Sequence, residues 1–193
     1  MAESIKTLKA SGGDYTSIQT WWDTECANYD CVTNATSPVL ECYNDWSPAK
    51  SEDCIFTAGG GYAASATHHP IIRAASGERH DGTPDTGFKL TNATINYDVI
   101  KITSANYLEI NGLEIGTYSS YGWRNCIKIS DSTTGVRIEN CIIGHHSGAI
   151  SGSIGIATPY ATTYDLTIKG NLFTGYTGIW SGYKGRLATA GAV

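Results

Sequence analysis

The chain has 193 residues, a formal net charge of -5 and a pI near 5.4. That balance, with no basic block able to track phosphates, excludes nucleic acid as the expected partner. Charged residues make up only 16% and Gly numbers 22, a composition that suits a β-rich chain with many tight turns. No apolar run approaches the roughly 20 residues of a membrane span, so no membrane partner is expected.

The first residues, Met1-Ala-Glu-Ser-Ile-Lys-Thr-Leu-Lys9, lack the apolar core of a signal peptide. Export is therefore expected only by another route, such as leaving a host cell as part of a particle. Next comes a different kind of segment. In Asp14-Tyr-Thr-Ser-Ile-Gln-Thr-Trp-Trp-Asp-Thr-Glu-Cys26, Thr16 and Gln19 have capping-box spacing, and Ile18, Trp21, Trp22 and Cys26 fall on one side of a helix. Such a helix suits a lid over the end of a β-column, with a sugar-stacking platform as the other reading of the paired tryptophans.

Six cysteines stand at 26, 31, 42, 54, 126 and 141, with no CxxC among them. Free, buried thiols are the expectation for most, and no metal or other cofactor is expected. Gly59–Thr67 reads as an excursion, Pro70-Ile-Ile-Arg-Ala as a strand, 77–84 as a polar turn-rich loop, and Gly87-Phe-Lys-Leu as another strand.

From residue 108 the chain repeats a phrase. Leu108-Glu-Ile-Asn-Gly-Leu-Glu-Ile-Gly returns as Val136-Arg-Ile-Glu-Asn-Cys-Ile-Ile-Gly, then as Leu166-Thr-Ile-Lys-Gly-Asn-Leu-Phe-Thr. The starts are 28 and then 30 residues apart. Each copy alternates apolar with polar residues and bends at Gly112, Asn140 or Gly170. A further apolar beat (Val99-Ile-Lys-Ile, Cys126-Ile-Lys-Ile, Ser153-Ile-Gly-Ile, Gly178-Ile-Trp) lies between the copies. Each period thus holds about three short strands. A unit this small cannot enclose a core alone, and stacking its copies ~4.8 Å apart buries one continuous column. The register predicts inward ladders Ile110/Ile138/Ile168 and Leu108/Val136/Leu166, with outward rows Glu109/Arg137/Thr167 and Asn111/Glu139/Lys169.

The fold class expected is all-β: a right-handed single-stranded parallel β-helix with an N-terminal capping α-helix, about five coils and ~25 Å of column. It is a single domain over 1–193. Residues 1–30 form the first strand and capping helix, 31–183 the coils, and 184–193 a tail set against a partner. Gly13-Asp-Tyr-Thr-Ser-Ile-Gln-Thr-Trp, Ile71-Ile-Arg-Ala-Ala-Ser-Gly-Glu-Arg-His-Asp-Gly-Thr-Pro and the repeated phrase resemble right-handed β-helix proteins of the pectate-lyase-like superfamily, in a phage and environmental bacterial subgroup. That superfamily includes pectate lyases, polygalacturonases, glycan-cleaving phage tailspikes and non-catalytic virion proteins, so the resemblance implies a fold and leaves function to the sites.

Lyases of this fold need carboxylates clustered for Ca²⁺ with a basic residue, and galacturonases need paired acids on neighbouring coils. Here Glu109, Glu114, Asp131, Glu139 and Asp165 do not fall two to an outward row, so no catalytic residue is assigned. His145-His146, His68-His69 and His80 are read as solvated loop side chains. Tyr118, Tyr121, Trp123, Tyr160, Tyr164, Tyr176, Trp180 and Tyr183 crowd the later loops and suit glycan or protein contact. The expected function is a non-catalytic structural or attachment protein of a phage particle: a capsid decoration, cement or fibre subunit. Its partners would be further copies, as a homotrimer, and other virion proteins, and its place the virion. The alternative is an extracellular carbohydrate-active enzyme (polysaccharide lyase or glycoside hydrolase) or a glycan-binding module.

Overall fold

The structure is a computed structural model and describes residues 2–93, 97–117, 125–130, 133–145, 154–158, 165–174, 179–181 and 187–190. Strand β1 (Ala2–Leu8) comes first, followed by a short helix, α1 (Ile18–Trp21), that continues as one π-helical turn over Trp22–Cys26. The described residues then wind five coils of three strands. These are β2 (Thr36–Cys42), β3 (Lys50–Ser51) and β4 (Cys54–Phe56); β5 (Ile71–Ala74), β6 (Lys89–Thr91) and β7 (Ile100–Ile102); and β8 (Glu109–Asn111), β9 (Glu114–Thr117) and β10 (Asn125–Ile129). The last two coils are β11 (Val136–Glu139), β12 (Ile142–His145) and β13 (Ile154–Thr158), then β14 (Leu166–Lys169), β15 (Leu172–Thr174) and β16 (Ile179–Ser181). A final strand, β17 (Leu187–Ala190), pairs with β14, which brings part of the segment expected as a tail into the solenoid.

Every strand pair is parallel. The order β1-β2-β5-β8-β11-β14-β17 makes the first sheet, β3-β6-β9-β12-β15 the second and β4-β7-β10-β13-β16 the third. This is a parallel β-helix, and its register is the one the repeated phrase predicts. Ile138 pairs with Ile110 and Ile168, Val136 with Leu166, Arg137 with Glu109, and Glu139 with Asn111 and Lys169. Leu108, Ile110, Val136, Ile138, Leu166 and Ile168 are all buried. The corner residues Gly112, Asn140 and Gly170 share a left-handed backbone, with φ of 75°, 54° and 65°. At Gly112 a Cβ would add to that backbone strain a close approach of 3.1 Å to Arg79 Nε, so the Arg79 side chain would have to shift. The six cysteines are free and buried as expected, and burial pushes the Cys126 and Cys141 thiols up to about 12.

The helix lies in the chain between β1 and β2, where a complete coil would carry strands of the second and third sheets, and it closes that end of the column. Ile18, Trp21, Trp22 and Cys26 are all buried. Trp22 packs 4.9 Å from the Phe56 ring and 5.8 Å from Tyr62, and its Nε1 donates to the Thr57 carbonyl at 3.0 Å. The helix starts one residue later than Thr16 and Gln19 suggest. Ser17 is the N-cap, its Oγ accepting from the Thr20 amide. The Glu52 carboxylate, carried in from the first coil, accepts from Ser17 Oγ and from the Ile18 and Gln19 amides at 2.6, 3.0 and 2.9 Å. Gln19 instead accepts from the Ile55 amide of β4, fastening the lid to the third sheet.

Two substitutions test this architecture by thermal melting. Ile138→Asp places an unpaired charge in the column and is expected to cost roughly 3–5 kcal/mol, so a parent-like melt would refute the inward register. Trp22→Ala is expected to cost about 3–5 kcal/mol; a change under about 1 kcal/mol would show that the lid is dispensable.

Candidate functional site

Among the described residues, the outward face of the first sheet carries two linked sets of charged side chains, and the register explains their arrangement. One outward row runs Ile5, Val39, Ile71, Glu109, Arg137, Thr167 across β1, β2, β5, β8, β11 and β14. Its neighbour runs Thr7, Glu41, Arg73, Asn111, Glu139, Lys169. Arg73 joins the two halves of the upper face: it donates to Glu41 at 2.9 Å beside it and, from Nη1 and Nη2, to both oxygens of Glu3 at 3.1 and 2.9 Å. Glu3 lies two strands away and one row beyond Val39. The long Arg73 side chain therefore crosses above Val39, which is fully buried although it points outward.

Lower on the same face is a second cluster. Arg137 lies 3.6 Å from Glu109 and 3.0 Å from Glu139, so the acid of its own strand takes the shorter contact and Lys169, expected beside Glu139, shares only its register. Asn111 Nδ2 donates to Glu109 at 3.0 Å. His69 enters from the turn before β5, with its Nε2 3.4 Å from Glu109 Oε2 and its Nδ1 3.1 Å from the Ser65 carbonyl. It is 1% exposed, which corrects its reading as a solvated loop side chain. The His69 hydrogen bond, with Asn111 and Arg137 in support and burial opposing, holds the Glu109 carboxyl down at about 2.

The polar loop 77–87 lies as a strap across the corner of the first and second sheets. Arg79 Nη2 donates to Asn111, and His80 Nε2 donates to the Asn140 carbonyl at 2.7 Å, two coils below the loop's origin. His80 is thus also tied to the solenoid. Behind the strap, Glu114 is 3% exposed and accepts the Asp85 amide at 2.8 Å; burial raises its carboxyl and Lys89 opposes the shift. Lys89, beside Glu114 in register, also pairs with Asp85.

The structure brings Glu109 and Glu139 together through Arg137, and it places Glu114 under the strap and Asp165 apart from them, its amide donating to Thr134 Oγ1. Among the described residues no three His, Cys, Asp or Glu side chains gather as a metal site requires. Asp131, His146, Tyr118, Tyr121, Trp123, Tyr160, Tyr164, Tyr176 and Tyr183 lie outside the described residues, as do the side chains of His145 and Trp180. Trp180 is placed by backbone alone, in register with Ala157. His69 and the strap contacts escaped the sequence reading. Only the register of the folded sheet reveals His69: extending the Val39/Ile71 pairing two residues back sets it beside Ser37, diagonal to Glu109.

The chain matches no protein-family profile, no curated protein and no solved structure.

Chemically, the cluster holds strands rather than protons. A carboxyl held at about 2 stays ionised in neutral solution and has no proton to donate. Its stabilising contribution is complete above the ordinary value of 4.5 and disappears as pH falls through about 2. Glu109→Gln is expected to cost roughly 1–3 kcal/mol at neutral pH and to flatten the loss of stability between those limits. Denaturant titrations at several pH values check both, and an unchanged acid limb would remove Glu109 from the network.

Proposed function

We propose that the chain is a non-catalytic structural or attachment subunit of a phage particle, such as a capsid decoration, cement or fibre subunit, built on a pectate-lyase-like solenoid. The observation that carries this reading is the pairing of the outward charges across coils. Glu3, Arg73 and Glu41 tie β1, β2 and β5, while His69, Glu109, Arg137 and Glu139 tie the start of β5 to β8 and β11. Ion pairs repeated along a solenoid stiffen it and fix its register, which suits a part that bears load. The same pairing commits Glu109 and Glu139 to Arg137, whereas glycoside cleavage asks one acid to hold a proton and another to face the sugar. The particle itself is suggested by the Gly13–Trp21 and Ile71–Pro84 segments that resemble the phage and environmental subgroup. Further copies of the chain and other virion proteins are its proposed partners.

The test combines activity with assembly. The purified chain is incubated with a panel of acidic and neutral polysaccharides, and reducing ends and unsaturated products are measured beside binding to host-derived particles. No product and saturable particle binding are expected. Product release that disappears in Glu109→Gln or Glu139→Gln would establish a carbohydrate-active enzyme instead, and polysaccharide binding without cleavage would establish a glycan-binding module.

A further inference from the structure

The first sheet ends at β1, and only half of that edge is closed. Within a strand the backbone groups of successive residues point alternately to the two sides. Thr7 points away from β2: its amide donates to Asp14 Oδ2 at 2.8 Å and its carbonyl accepts from the Tyr15 amide at 3.0 Å. Leu8 points the other way, its carbonyl accepting from Tyr43 just after β2. By this alternation Glu3 and Ile5 also turn their amides and carbonyls outward. Beyond them the chain lays no strand among the described residues, and Ala2, Glu3, Ser4 and Ile5 are all exposed. Ile5 is 48% exposed, at the end of the row whose next members, Val39 and Ile71, are buried.

Proteins ordinarily blunt a free sheet edge with charges, bulges or a covering segment. Here Asp14 and Tyr15 cover Thr7 and the lid covers the column beside it, yet the Glu3–Ile5 edge stays open with a large apolar side chain on it.

We propose that this edge is an interface with a second copy of the chain, in which the two β1 strands pair antiparallel about a two-fold axis at Ser4. The occupant follows from self-complementarity. In that register Glu3 of each copy faces Ile5 of the other, and each facing pair exchanges two backbone hydrogen bonds. All the open groups are used, and none is asked of Thr7. Shifting the centre to Ile5 would set Glu3 against Thr7, whose outward groups are already taken by Asp14 and Tyr15. The covered half of the edge therefore selects the register. Glu3 enters already paired with Arg73, so no bare carboxylate is desolvated. Parallel pairing by another copy would be heterologous and would leave the chain of contacts open, whereas the two-fold contact closes. This contact is two-fold where a three-fold order was expected from sequence, and it does not depend on the particle assignment.

The experiment is sedimentation of the full chain over a range of concentrations, beside three variants. Ile5→Pro removes one outward amide and no hydrogen bond to β2, a position where an edge strand tolerates proline. Ile5→Asp keeps the amide and sets a carboxylate against the partner's Glu3. Val32→Lys alters an equally exposed residue away from the edge. A two-chain species is expected for the parent and for Val32→Lys, with its dissociation constant raised at least tenfold by both Ile5 variants while far-UV circular dichroism is unchanged. Ser4→Cys is expected to give a covalent dimer with diamide, since the two Ser4 residues face each other across the axis. A parent that stays monomeric, an assembly insensitive to Ile5→Asp, or a Ser4→Cys chain that fails to cross-link would each overturn the proposal.

Discussion

Parallel pairing between coils obliges each inward residue to sit on its counterpart one coil away, about 4.8 Å along the axis. A polar side chain in an inward row would meet apolar neighbours above and below and find no water, so the inward rows must remain apolar through the stack. Ile72, Ile110, Ile138 and Ile168 meet that requirement in the first sheet, Leu90, Ile115 and Ile143 in the second, and Ile100, Ile127 and Ile156 in the third. Backbone hydrogen bonding and side-chain burial thus depend on one register, and slipping any strand by a single residue would reverse its faces.

The constraint relaxes at the capped end, where a row has a neighbour on one side only. Lys6 pairs with Leu40 and Lys50 with Leu90, so two lysines occupy inward rows in the outermost strands of their sheets. Each ammonium turns toward a carboxylate at the lid: Lys6 lies 4.0 Å from Glu25 on the π-helical turn, and Lys50 lies 3.2 Å from Glu52, the residue that caps α1. Lys50 also sits 4.7 Å from the centre of the Trp46 ring. Besides the apolar packing of Trp22 on Phe56 and the hydrogen bonds of Gln19 and Trp22, lid and column are therefore joined through acids that serve the helix and the last inward lysines together.

The third to fifth coils were legible in the sequence because their spacing is nearly constant at 28 and 30 residues, so the alternation alone assigns both faces of each strand. The step from Ile72 to its counterpart Ile110 is longer, because the 77–87 strap is inserted in that coil, and periodicity alone could not set Glu109 against Ile71. That gap hid His69, which reads as a polar residue in a turn unless register places it diagonal to a carboxylate. The helix was recognisable from its apolar spacing, and its cap to within one residue, but the carboxylate that completes that cap was not. Glu52 arrives from 35 residues beyond Ser17, and a local capping pattern cannot announce a distant partner.

The outer face follows the same register with a different chemistry. Stacking sets like rows side by side whether their side chains are apolar or charged, so acids and bases on neighbouring coils become partners without any added geometry. Arg73 and Arg137 exploit this with a planar fork that serves two carboxylates each: Arg73 reaches both across strands, and Arg137 reaches Glu109 across to β8 and Glu139 along its own strand. A ladder of this kind cannot continue past the last strand of a sheet. At β1 it ends on Glu3, and the backbone hydrogen bonding that accompanies it ends on the open groups of Glu3 and Ile5. The same periodicity that closes the column along its length leaves an edge where the sheet stops, and at that edge Asp14 covers one residue and leaves two.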